Sequence, residues 1–398
     1  MATHRWPHCL VGALFALVAA TAAADHAGLH VSGFGTVGAV WLDDREVFFN
    51  HPAAPRGDAS RPDFGADSVL GVQGAFDLGE RTDVIVQLVA AEDYRGRYAP
   101  RMSWAYLRHH LSPRITVRAG RLRAPFFMLS DGLQVNYVHP WVRPPVEVYG
   151  LNPFNDAEGV DLLFRRRVGT VDVELQPHYL ERGHMRFPDG DARLRRYLGV
   201  KVNIAYAALN VQFGHGAGRL AVDYGDPLFE FARNGLLAAG APRQAARLAG
   251  RGGRARFDSI GFEWDDGTLQ LIGEYARRRA DRFVTSAHGW HLTAAYRLGA
   301  FAPFATLARQ RPVRSIAPRS LGTPALDAYL DSRSQAQKSV SLGVRWDVAP
   351  GAALKAQWTR THIDRDAWGA FFPQGSPLTG SPAGRRVDML GMSLDFVF

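Results

Sequence analysis

Only one cysteine, Cys9, and three lysines, Lys201, Lys338 and Lys355, occur in 398 residues. Cys9 sits in "MATHRWPHCLVGALFALVAATAAA", which has a basic start at Arg5, an apolar run to about Ala20, and Ala22-Ala23-Ala24 before Asp25. That order reads as a secretory leader over residues 1–24, and the expected mature chain, 25–398, has no thiol for a disulfide or a cysteine metal site. With 47 Lys+Arg against 38 Asp+Glu and a formal charge of +9, the surface is basic and built from arginine.

Long apolar runs are missing as well. Beyond the leader no stretch reaches the ~18 residues needed to cross a bilayer as a helix, and no linker divides the remainder into domains. The patterns G-x-S-x-G, H-E-x-x-H and the P-loop are absent, and apart from His109-His110 the 14 histidines are scattered singly. Nucleophile and zinc sites therefore lack their minimum residues, and no cofactor is expected.

What the chain has is period-two alternation. In "VSLGVRWDV", Val340, Leu342, Val344, Trp346 and Val348 alternate with Ser341, Gly343, Arg345 and Asp347; "LGVKVNI" and "WHLTAAYRL" repeat the pattern. Each is a strand with one apolar and one polar face, and ~30 Å of it crosses a hydrocarbon core when tilted. Connections alternate too. Seven tight links, around 79, 112, 169, 207, 266, 299 and 350, separate eight long ones at about 42–67, 92–100, 123–157, 181–194, 216–254, 278–286, 312–337 and 362–385. That arrangement predicts an all-β, antiparallel transmembrane barrel of about 16 strands, with a short helix within 226–250.

The polar faces carry Arg118, Lys201, Glu263, Glu274, Arg297, Arg345, Lys355 and Asp395. Charge inside and apolar side chains outside is the inversion that a lipid solvent demands. Trp41, Trp104, Trp264, Trp290, Trp346 and Trp358 are candidates for interfacial girdles.

"MLGMSLDFVF", ending in Phe398, resembles the terminal strand of Gram-negative outer-membrane proteins. "LHVSGFGTVGAVW" is similar to the first strand of bacterial porins, and "ITVRAGRLRAPFFMLSD" to the porin strand that leads into an inward-folded third loop. The resemblance implies a 16-stranded outer-membrane porin, commonly a homotrimer, whose third loop narrows the pore. It also implies contact with outer-membrane lipid and lipopolysaccharide, with small hydrophilic solutes as cargo.

Gly33-Phe34-Gly35-Thr36-Val37-Gly38 is a literal G-x-G-x-x-G, but the strand continues where a dinucleotide site needs a helix. Small residues that permit a bend or a close contact are the plainer reading. "YARRRADR" is basic enough for nucleic acid, yet on an exported barrel it reads as a strand end among anionic headgroups or a solvated loop. Asn155, Asp156 and Glu158 could hold calcium or form a solvated turn.

The segment "HPWVRPPVEVYG", His139 to Gly150, lies in the third long connection, with Phe126, Phe127, Met128, Tyr137, Trp141 and Tyr149 nearby. A loop that apolar must pack against something, so it is expected to fold into the lumen, with Asp131, Arg143 and Glu147 towards the channel. Arg118, Arg121 and Arg123 at its root, with Lys201, Arg297, Arg345 and Lys355 from other strands, are the expected basic lining. Opposed charges across a constriction select solutes by size and field, without catalysis.

The expectation is a channel for passive diffusion, with a mild anion preference. A substrate-specific channel for phosphate, an organic acid or a sugar remains open. So do a closed barrel for adhesion or receptor roles and a rim enzyme, such as a phospholipase or protease, using Ser130-Asp131 or His109-His110, the last recognisable by a Ser/His or Asp/His contact within ~3.2 Å.

Overall fold

Sixteen strands close into one antiparallel barrel in a computed structural model that describes residues 28–49, 62–93, 95–319, 324–374 and 380–398. Residues 1–24 lie outside that set. In chain order the strands are β1 Leu29–Leu42, β2 Val47–Phe49, β3 Val69–Gly79, β4 Thr82–Ala91, β5 Arg101–Ser112, β6 Ile115–Arg123, β7 Asp156–Val168, β8 Val171–Phe187 and β9 Gly190–Tyr206. They continue as β10 Leu209–Tyr224, β11 Gly250–Asp265, β12 Leu269–Ala280, β13 Ser286–Tyr296, β14 Phe301–Arg314, β15 Gln337–Ala349, β16 Ala352–Ile363, β17 Phe371–Pro373 and β18 Arg386–Val397. Sequential neighbours pair throughout, and β1 closes the ring against β18, while β2 and β17 form a separate two-stranded sheet. The seven tight links fall where the sequence places them.

The alternation resolves into two faces. On β15, Val340, Leu342, Val344 and Trp346 are exposed outward while Ser339 and Ser341 are buried inward. Such an exterior has no partner in the chain, and hydrocarbon is the solvent that suits it. No helix among the described residues is long and apolar enough to cross a membrane. Trp346 stacks on Phe301 at 5.5 Å near a short turn, as a girdle residue should. Trp104 does not join such a girdle: it packs inside, against Ile85, Tyr106 and Leu122.

The closing seam explains the G-x-G-x-x-G motif. Gly33 and Phe398 exchange backbone hydrogen bonds at 2.8 and 3.0 Å, and Gly35 stands opposite Phe396. A Cβ on Gly33 or Gly35 would collide with the Phe398 or Phe396 ring. The glycines are seats for aromatic rings on the neighbouring strand, not a phosphate cradle.

One expected long loop is absent. Residues 181–194 form a β8–β9 hairpin whose strands each run 17 residues, with only Pro188 and Asp189 between them. At the same end of the barrel, a helix at Pro227–Ala238 is capped by Asp226, whose side chain accepts from Phe229 N at 3.1 Å. It packs on a second helix, Pro324–Ser332, which the sequence reading did not anticipate, and the two share an apolar core with Trp368. Arg333 ties them together, ion-paired to Asp226 and lying over the rings of Tyr224 and Tyr329 at 4.4 and 4.9 Å.

Candidate functional site: the loop inside the barrel

The connection between β6 and β7 lies within the barrel. Its stretch 139–150 contains one short helix, Val146–Tyr149, whose start at Val146 follows Pro144 and Pro145. Proline fixes φ and restricts its predecessor, so the loop enters that turn already stiff. Each aromatic then finds a wall. Trp141, 1% exposed, donates its Nε1–H to the hydroxyls of Thr293 on β13 and Thr306 on β14, both at 3.0 Å. Phe126 and Phe127 pack edge-on against Phe257 of β11, and Tyr149 donates its hydroxyl to Glu274 of β12 at 2.9 Å.

Charged wall residues hold the loop's backbone. Lys355 on β16 donates to the carbonyls of Asn136 and Trp141 at 2.6 and 3.0 Å, and pairs with Asp395 of β18 at 2.9 Å, both side chains fully buried. Asp395 in turn accepts from Thr36 of β1 at 2.7 Å, and Asn136 donates to the same Thr36. Arg345 donates to the carbonyls of Tyr137 and His139. Gln357 accepts from Val142 N at 3.0 Å, and Ser259 donates to Phe126 O at 2.8 Å. Buried this deeply, each of these groups needs a partner, and the loop supplies it.

Two residues expected to face the channel are turned away from it. Arg143 is buried in a two-pronged pair with Asp67 and lies 4.2 Å over the Phe49 ring. Glu147, 2% exposed, accepts from Gln337 Nε2 at 2.8 Å and Ser339 Oγ at 2.7 Å. Its burial, away from any cation, pushes the carboxyl above the usual range. Burial likewise pulls the His139 imidazole down to about 4, with Lys355 and Arg345 adding to the effect; its Nε2 is 3.0 Å from Gly132 O.

The basic candidates divide. Arg118 points inward and binds Asp161 of β7 through Nε and Nη2 at 2.8 and 2.5 Å. Arg108 of β5 stands directly opposite it and pairs with Asp83 of β4 at 3.0 Å. Gln176 of β8 adds a bond to Asp161, which makes a polar belt across five strands. Asp131 is exposed on the loop side and interacts electrostatically with Arg118. Arg121 is on the opposite strand face, bonded to Met102 O and paired with Asp156. Gly120, with φ of 136°, separates it from the inward Arg118.

Arg123 is buried at the loop root, donating to Gln134 and Asn155 O. Lys201 is buried on β9, and its side chain forms no hydrogen bond among the described residues. Arg297 pairs with Asp265 beside a short turn. Sequence reasoning did not find Asp67, Asp83, Asp161 or Gln357 as partners, because each is fixed by a contact between distant strands.

The catalytic pairs are not assembled. Ser130 Oγ accepts from Phe127 N, His109 bonds Thr82 and His110 bonds Thr116. Among the described residues one Asp/His contact meets the distance criterion, His215 to Asp258 at 2.7 Å. It lies on the outward face, with Arg279 on the other carboxylate oxygen at 2.8 Å. Asp156 and Glu158 are engaged by arginines. Of "YARRRADR", Arg277 and Arg279 turn outward, and Arg278 donates inward to Leu151 O and Thr285 O.

Neither a protein-family model nor a curated protein matches the chain. Solved structures do. An anion-selective porin from Comamonas acidovorans aligns with a TM-score of 0.57 at 13% identity, covering 93% of this chain and 99% of that one. OmpF of Salmonella typhi, in complex with daunomycin, aligns at 0.55 and 12%, covering 94% and 99%. OmpT, an outer-membrane protein of Vibrio cholerae, aligns at 0.53 and 11%, covering 93% and 97%. At such identities the likeness is one of fold: a closed, porin-like barrel of sixteen strands.

Proposed function

We propose that the protein is an outer-membrane channel of a Gram-negative bacterium, working as a homotrimer that lets small hydrophilic solutes diffuse down their gradients. The observation that carries this reading is the pairing of an apolar barrel exterior with an internal loop braced on charged wall residues, on which Asp131 stays exposed. A barrel crossed by opposed charges admits solutes by size and orients their dipoles, and it needs no chemical step. Anion preference is supported by the formal charge of +9. It is supported also by a cleft of about 440 Å³ at the short-turn end, where Arg114, Arg165, Arg166 and Arg167 meet only Asp172 and Glu174. In planar bilayers the expected result is stepwise ohmic conductance and an anion-selective reversal potential; a cation-selective potential contradicts the preference, and no conductance contradicts the channel.

A second reading, a substrate-specific channel, is favoured by one feature. A cavity of about 100 Å³ between the loop root and β8–β12 is lined by Phe154, Phe187, Tyr197, Tyr224 and Phe257, with Arg278 in its wall. That lining suits an aromatic carboxylate. Saturable block of the conductance by benzoate would select this reading over general diffusion.

A further inference from the structure

Four arginines stand directly opposite one another on the outward face of four successive strands. Arg182 of β8 faces Arg195 of β9, Arg195 faces Arg219 of β10, and Arg219 faces Arg254 of β11. With neighbouring strands ~4.8 Å apart, the row spans about 14 Å. All four are exposed. Arg182 has Glu158 at 2.7 Å, whereas the guanidinium groups of Arg195, Arg219 and Arg254 form no ion pair or hydrogen bond among the described residues.

Like charges in register on a sheet face repel, and a protein has cheaper ways to finish a strand. This row is held in place by a local distortion. Arg196 adopts φ of 49°, where the β9–β10 register shifts between Ala217 and Arg219. The shift keeps Leu194 and Tyr197 buried inside while Arg195 and Arg196 both point out. Beside them, Arg193, Arg195, Arg219 and Arg251 enclose a surface cleft of about 210 Å³.

We infer that this row binds the phosphates of a phosphorylated lipid headgroup in the surrounding leaflet. Each guanidinium fork matches the oxygens of a phosphate, and an anion seated between two of them removes their repulsion. Depth argues for a lipid source: the next outward pair below Arg182 and Arg195 is Tyr179 and Leu198, both exposed, and on β10 and β11 the exposed Phe213 and Ile260 follow six residues below Arg219 and Arg254, past His215 and Asp258. A lipid held by its acyl chains presents its phosphates at that height. The inference rests on the membrane placement above.

The test uses the whole protein folded in zwitterionic micelles, with diphosphorylated lipid A as the probe. The wild type is expected to bind lipid A and to melt higher with it. R195Q/R219Q/R254Q should lose at least tenfold in affinity, yet melt no lower than wild type in lipid-free micelles, while R195K/R219K/R254K retains binding. Equal affinity of the glutamine variant and the wild type overturns the site. So does equal binding of the dephosphorylated lipid, and so does displacement of lipid A by millimolar inorganic phosphate, which would mark a site for the free ion. Conductance separates the two readings. A wild type that conducts but ignores lipid A overturns this inference alone, and one that binds lipid A but does not conduct overturns the channel alone.

Discussion

Arg143 and Asp67 grip each other through both prongs of the guanidinium, Nε to Oδ1 at 2.8 Å and Nη2 to Oδ2 at 2.5 Å, with the side chains 9% and 3% exposed. This pair fastens the internal loop to the chain just before β3. Removing one member of a buried pair strands the other charge and costs on the order of 3–5 kcal/mol, whereas replacing both with apolar groups is often close to neutral. Arg143→Ala should therefore lower the melting temperature and enlarge or destabilise the single-channel steps, and D67L/R143M should recover most of both. An Arg143→Ala channel with wild-type steps would show that the pair does not position the loop.

Gly289 of β13 lies against the loop backbone, and a Cβ there would collide with the Glu147 carbonyl oxygen. Overpacking of that kind costs about 1–3 kcal/mol. Gly289→Ala is expected to push the helix Val146–Tyr149 inward and reduce conductance, with the barrel's far-ultraviolet circular dichroism unchanged. Unaltered conductance would mean the loop yields without narrowing the passage.

Asp131 is exposed and has no hydrogen-bond partner among the described residues, so its removal should disturb the field and not the fold. Asp131→Asn should shift the reversal potential further towards anions and change stability by less than about 0.5 kcal/mol. A shift towards cations would place the solute path away from this carboxylate.

The His139 imidazole, pulled down to about 4 by burial, is neutral in the folded loop, whereas an unfolded histidine titrates near ~6.5. Its contribution is therefore fully present above about 6.5 and is lost as pH falls towards 4. Glu147, pushed up by burial, acts with the opposite sign: its contribution is present at acid pH and lost as pH rises through its raised value. The clean comparison is the difference in melting temperature between wild type and His139→Gln. That difference should shrink as pH drops from 7 to 4; a constant difference would refute the assignment.

Much of the barrel is readable in the sequence because lipid outside and polar groups inside enforce period two on every spanning strand. The reading fails where that constraint ends. "ERGHMRFPDGDARLRR" looks like a polar loop, yet its residues continue β8 and β9 beyond the apolar band, where arginine and histidine replace the outward hydrophobes and Met185, Phe187 and Leu194 turn inward. The site is readable in part for a related reason. Trp141 and Tyr149 announce that the loop is buried, but which charges stay free depends on partners such as Asp67 and Asp161, 76 and 43 positions from the residues they bind. Local pattern carries no record of such pairings, so Arg143 and Lys355 look like pore lining when they are fasteners.

The internal loop touches strands on both sides of the closing seam and across to β11, through Thr36, Lys355, Thr306, Glu274 and Ser259. It is a strut as well as a constriction. A hollow ring of sixteen strands resists flattening only through its own curvature, and a rod braced across it fixes the roundness of the cross-section. Shortening the rod to widen the aperture would soften the whole cylinder, so in this molecule bore and stiffness are set by the same segment and change together.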